Sequence, residues 1–109
     1  MAKVNLQWSA LAQSDLYRIL EPIRQSAPKR SVALMKRLIS TTERLSDFPE
    51  SGRQPFEITD DVYLREIIVE KLRIFYDYRS DEAVVEILAV FDGRQDVDSL
   101  LSERFNKPL

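Results

Sequence analysis

Arg65 and Arg73 stand inside an otherwise apolar run, "YLREIIVEKLRIFYDY", Tyr63 to Tyr78, among Leu64, Ile67, Ile68, Leu72, Ile74 and Phe75. A guanidinium binds phosphate oxygens in pairs and stays charged, so arginines on an exposed sheet suit a polyanionic substrate or an acidic partner. The expectation is that Arg65, Arg73 and Arg94 converge near the open sheet face, where they could hold an RNA backbone and stabilise a pentacovalent transition state. Cleavage would also require one group to activate the ribose 2′-hydroxyl and another to protonate the leaving oxygen. Lys71 and Tyr76 are the nearest candidates, and either needs a strongly shifted pKa to act near neutrality. Asp92, Glu66, Glu70 and Asp77 would stand close to the same backbone and repel it.

Composition shortens the list of chemistries. The chain has 109 residues with no cysteine and no histidine. Disulfides, thiolate nucleophiles and cysteine metal sites are therefore excluded, and the one side chain that titrates near neutrality without tuning is missing. The formal charge of −2 gives no global pull toward nucleic acid. Hydrophobic residues at 44% and charged residues at 31% are those of an ordinary globular domain. The amino-terminal "MAKVNLQWSA" lacks the apolar core of a signal peptide, and no later run is long enough to span a bilayer, so the expected location is cytoplasmic. The spaced acids of "DGRQDVD" do not follow the order of a calcium loop, and with Gly52 and Gly93 as the only glycines there is no phosphate-cradling loop. No metal and no cofactor are expected.

The elements that must position the arginines follow from periodicity. Lys3 to Trp8 alternates like a short strand, with Ser9 as an N-cap. Ala12, Leu16, Ile19, Leu20 and Ile23 recur at helical spacing, with Asp15, Arg18 and Gln25 off that stripe, and Pro22 is expected to kink or end the helix near its last turn. Pro28 suits the first turn of a second helix whose stripe is Val32, Met35, Leu38, Ile39, Thr42 and Leu45, ending near Asp47. Both stripes read as core. "DFPESGRQPFEITDD" is a loop, followed by strands at Val62–Val69, Lys71–Tyr78 and Val84–Phe91. A two-residue turn at Val69 and Glu70 would set Glu66 opposite Arg73 and Arg65 opposite Ile74. Asp96 caps a short helix through Leu101, and 102–109 reads as a tail. The result is one α+β domain over 1–109, with a compact core at 3–101 and the order β-α-α-β-β-β-α. A helical hairpin covers one face of a small antiparallel-rich sheet and leaves the other face available.

With the order in place, the chain resembles the RelE/ParE superfamily of toxins from type II toxin–antitoxin modules, from Trp8 to about Leu101. The resemblance rests on "WSALAQSDLYRI", similar to the family's Trp-Ser-x-x-Ala-x-x-Asp-Leu opening, and on "LSDFPESGRQ", similar to its Leu-x-x-x-Pro-x-x-Gly-Arg loop. "LREI", "LRIFY" and "AVFDGRQDVDSLL" complete it. The match is better to the ParE, plasmid-stabilisation branch, although Asp92 stands where a histidine is common.

The resemblance implies a toxin neutralised by a cognate antitoxin whose carboxy-terminal segment wraps the hairpin and the sheet. ParE-like action implies inhibition of DNA gyrase by direct binding, with Tyr17, Arg53, Arg65, Arg73, Tyr78 and Arg94 as target or antitoxin contacts. The alternative is RelE-like cleavage of mRNA on the ribosome, for which Arg65, Lys71, Arg73, Tyr76 and Arg94 would form the site. The missing histidine and the acids around the arginines favour binding over catalysis.

Overall fold

The computed structural model describes residues 3–105. Its elements are β1 (Asn5–Trp8), α1 (Ala10–Ser26), α2 (Pro28–Glu43) with a 3-10 turn at Arg44–Ser46, β2 (Leu64–Val69), β3 (Leu72–Arg79), β4 (Val84–Asp92) and α3 (Val97–Phe105). The strands lie in the order β1-β4-β3-β2, with β1 parallel to β4 and the other pairs antiparallel. This is the expected α+β order, and the apolar β4 is a central strand, as a run buried on both faces should be.

Local chemistry explains most boundaries. The Ser9 hydroxyl accepts from the amide of Ala12 at 3.1 Å, closing the first turn of α1. Ala27 alone separates the two helices, and Pro28 opens α2 where its missing N–H costs nothing. Pro22 does not end α1. The helix runs on to Ser26, because Pro22 is exposed and water can satisfy the carbonyl its ring leaves unpaired.

Leu38, Leu45, Ile74, Tyr76, Val85 and Ile87 fill a core between the hairpin and the sheet. A second core lies on the opposite face, where Phe75, Ala89 and Phe91 pack beneath Val97 and Leu101 of α3 and beside Ile58 of the long loop. The far face is therefore only half available. Its open half carries Asp77 directly across from Glu86. Leu88 is an extra residue in β4, since Phe75 pairs with Ala89 and Tyr76 with Ile87. This bulge switches which side chains of β4 face each core, so Val90 returns to the hairpin side.

The tail expected from 102 is instead the end of α3 as far as Phe105, and 106–109 lie outside the described residues. Arg104 holds it in place. Its guanidinium donates to both oxygens of Asp15 at 2.8 and 2.9 Å and to the carbonyl of Leu88 at 3.0 Å, over the ring of Phe91. Asp15, off the apolar stripe, is nonetheless 1% exposed, and it also accepts the amide of Val90. β1 ends at Trp8, so the rest of the β4 edge is closed by these side chains in place of a strand. Among the described residues no helix is long and apolar enough to cross a membrane.

Candidate functional site

The β2–β3 turn falls one residue later than expected, at Glu70 and Lys71, so Val69 pairs with Leu72. Glu70 takes a left-handed φ of 55° without being glycine, a conformation that sequence alone gives no reason to expect. The slip places Arg65 opposite Tyr76, Arg73 opposite Ile68 and Glu66 opposite Phe75. Strand alternation then sends Arg65 and Tyr76 to the hairpin face, and Arg73, Glu66 and Phe75 to the α3 face. Arg65 and Arg73 therefore do not converge.

On its own face Arg73 is fully engaged. Its two Nη atoms donate to Glu57 Oε2 and Oε1 at 2.6 and 2.8 Å, and its Nε donates to Glu66 Oε2 at 2.8 Å, a diagonal cross-strand contact. Phe56 and Phe75 lie within 5.6 and 5.1 Å of the guanidinium carbon, leaving the side chain 11% exposed. Glu66 is buried and takes a second donor, Arg53 Nε, at 2.7 Å. The paired carboxylates raise the pKa of Arg73, and the Arg73 hydrogen bonds hold Glu57 below the usual carboxylate range. Arg53, Glu66, Arg73 and Glu57 thus form a neutral chain of alternating charge, with no positive excess for an incoming phosphate.

On the other face, Arg65 and Tyr76 pin the loop. Arg65 Nη1 donates to the carbonyls of Glu50 and Gly52 at 3.1 and 2.9 Å. The Tyr76 hydroxyl donates to Pro49 O at 2.8 Å and accepts from Gly52 N at 2.9 Å. Burial pushes its pKa up, away from the value a general base would need. Gly52 is required by this approach, since a Cβ there would lie 2.5 Å from the hydroxyl and 2.7 Å from Glu66 O.

Lys71 and Arg94 sit at one end of the sheet, where Gly93 N donates to Lys71 O at 2.7 Å. Arg94 turns back on Asp92 through bonds of 2.6 and 2.9 Å, and this draws the Asp92 carboxyl down to about 2. Tyr78 is half-buried against the hairpin core at the opposite end. Among the described residues, no three carboxylates are placed to hold a metal ion.

The hairpin stripes are not all core. Leu34, Leu38, Thr42 and Leu45 are buried, but Val32 and Ile39 are 55% and 43% exposed. With Leu16, Tyr17, Leu20 and Met35 they line an open, largely apolar groove of about 840 Å³ across α1 and α2. Tyr17, 69% exposed, stands on its rim. The Asp15–Arg104 clip and this groove escaped the sequence reading for related reasons. An acid beside Arg18 reads as a surface pair, and an apolar stripe reads as core until its partners are seen.

Comparison with known proteins accords with this geometry. No curated protein sequence matches the chain. The "Chromosomal ParDE TA system from P. aeruginosa" superposes with a TM-score of 0.66 at 14% identity, covering 83% of this chain and 96% of that one. The RelBE2 toxin–antitoxin complex from Mycobacterium tuberculosis gives 0.59 at 17% identity, covering 84% and 93%. A mutant of the E. coli toxin RelE in the free state gives 0.57 at 16% identity over 100% of both chains. At such identities these likenesses establish the fold. Residues 6–97 match the family described as "ParE toxin of type II toxin-antitoxin system, parDE". That match spans the α1–α2 hairpin, β2 to β4 and all but the first residue of β1, and the chain belongs to the ParE toxin family of type II toxin–antitoxin systems.

Proposed function

We propose that this protein is a ParE-like toxin that inhibits DNA gyrase by direct binding and is neutralised by a cognate antitoxin segment seated in the α1–α2 groove. The observation that carries the choice of binding over RNA cleavage is the occupancy of Arg73. Both edges of its fork are bonded to Glu57 and Glu66, while Arg65 and Tyr76 are used on the opposite face to hold the loop. The open half of the far face offers Glu86 beside an Asp77 already paired with Arg79 at 3.1 Å, and so no net positive charge for an RNA backbone. Gyrase is the target implied by ParE-like action. The antitoxin assignment is supported by the uncovered apolar groove and by similar folds solved in ParDE and RelBE2 systems.

The test is a titration of the antitoxin-free protein into a gyrase supercoiling reaction, alongside translated mRNA probed for cleavage. Supercoiling should be blocked and the message left intact. Codon-positioned cuts in the message with supercoiling unaffected, lost in a Lys71→Ala, Arg94→Ala variant, would overturn the proposal in favour of a ribosome-dependent nuclease.

A further inference from the structure

Helix α2 is the basic element of an acidic chain. The whole sequence has 16 basic and 18 acidic residues, yet α2 and its 3-10 turn carry Lys29, Arg30, Lys36, Arg37 and Arg44 against Glu43 alone. The spacing is regular. Arg30, Arg37 and Arg44 recur every seven residues, as do Lys29, Lys36 and Glu43, so the two columns run side by side along one flank. Seven residues rise about 10.5 Å along a helix. All five cations are exposed, and among the described residues only Arg37 has an ion-pair partner, Glu70, at 3.6 Å.

Position gives this flank a use. Lys36 lines the apolar groove across the hairpin, and Arg44 lines a second hollow between α2, Phe48 and the β2 edge at Ile68. On the α2 side the groove is edged by Lys36 and, seven residues on, by Glu43, and the other four cations stand beside and beyond that edge. The α1 rim differs, with Gln13, Tyr17 and a Glu21–Arg24 pair closed at 2.6 Å. The α2 side is basic apart from Glu43 at its carboxy-terminal end, and the α1 side is neutral. An amphipathic helix lying between them meets matching charge only if its acids run along the side facing α2.

We propose that the basic flank of α2 selects an acidic amphipathic helix and fixes its rotation in the groove, pairing with acids spaced at helical repeats along one edge of the antitoxin segment. This rests on the reading of the groove as the antitoxin seat. Charge complementarity favours a peptide over nucleic acid. A nucleic acid would gain only the ridge, would leave the adjoining apolar groove uncovered, and would meet the acidic remainder of the chain. Flanking charge choosing partner and orientation beside an apolar seam is the logic of coiled-coil edges.

The test uses the full chain and three labelled probes in a fluorescence-anisotropy titration. Two are amphipathic peptides of about five helical turns with one leucine face, carrying glutamate or lysine at all flanking positions, and the third is a DNA duplex of about 20 base pairs. At about 10 mM ionic strength the glutamate peptide should bind about tenfold tighter than the lysine peptide, and the gap should close near 1 M, where the screening length is about 3 Å. A variant with Lys29, Arg30, Lys36, Arg37 and Arg44→Gln, checked for its fold by circular dichroism, should lose the preference while still binding the leucine face.

Equal affinities that the Gln substitutions leave unmoved would overturn the flank's role. The groove reading would survive that result if Val32→Asp with Ile39→Asp weakened both peptides alike. Binding by neither peptide, or binding untouched by those two aspartates, would overturn the groove reading and the charge assignment with it. Tighter binding of the duplex than of the glutamate peptide, lost in the Gln variant, would overturn the peptide assignment in favour of nucleic acid.

Discussion

Asp15 and Arg104 are 89 positions apart in the chain and join through two hydrogen bonds of 2.8 and 2.9 Å, in a pocket that leaves the Asp15 side chain 2% exposed. The pair ties α1 to α3 across the end of β4. Because Asp15 also holds the Val90 amide, it completes the sheet edge at the point where β1 has run out.

Removing one member of a buried pair strands the other, which typically costs about 3–5 kcal/mol. Asp15→Ala should therefore lower stability in urea by that order and release α3, seen as faster hydrogen exchange at Leu101 and Val90. A loss below about 1 kcal/mol would show that water satisfies Arg104 and that the clip contributes little.

Glu57 gives a pH dependence of defined sign. Its folded pKa is depressed by Arg73, so the stabilisation is present above the unfolded value of about 4.3 and is lost as pH falls through the folded value. The urea midpoint should stay level down to about pH 5 and then fall. Glu57→Gln should start lower and show a shallower fall in the same window. An unchanged slope would mean that other carboxylates carry the acid response.

Gly52 and Tyr76 make a pair of substitutions that should not compensate. Tyr76→Phe leaves the buried Gly52 amide without its acceptor, worth about 1–3 kcal/mol. Gly52→Ala sets a Cβ against the Tyr76 hydroxyl and, at 2.7 Å, against the backbone carbonyl of Glu66. Phenylalanine at 76 removes only the first clash. The double variant should be at least as unstable as Gly52→Ala alone in a urea titration. Recovery would show that the loop can shift away from β2.

How far the sequence foretold this structure depends on the range of the interaction. Ser9, Pro28 and the apolar run of β4 act within a few residues, and the caps and strand stand where their chemistry puts them. The β2–β3 register turned on a left-handed Glu70, which no glycine or asparagine announces, and a slip of one residue exchanged the cross-strand partners of every side chain. Arg73 still reached Glu66 because a long side chain spans the diagonal. Its stronger partner, Glu57, lies in the loop that Arg65 and Tyr76 hold further back, at residues 49–52, from the other face, an arrangement that only the assembled sheet contains. The helix expected to end at Leu101 runs on because Arg104 finds Asp15, and that contact has no local signature.

The parallel pairing of β1 with β4 bears on how the protein is made. Asn5 finds Val84 and Trp8 finds Ile87, so the strand synthesised first waits for the strand synthesised last, and the link between β1 and β3 is absent until then. Closing so long a loop is slow compared with forming the α1–α2 hairpin, whose contacts are local. A chain interrupted before residue 84 retains two helices and at most the β2–β3 hairpin, without the strand that joins that hairpin to β1. Abortive translation therefore yields fragments without the toxin fold, and every molecule that acquires it has been read through to β4.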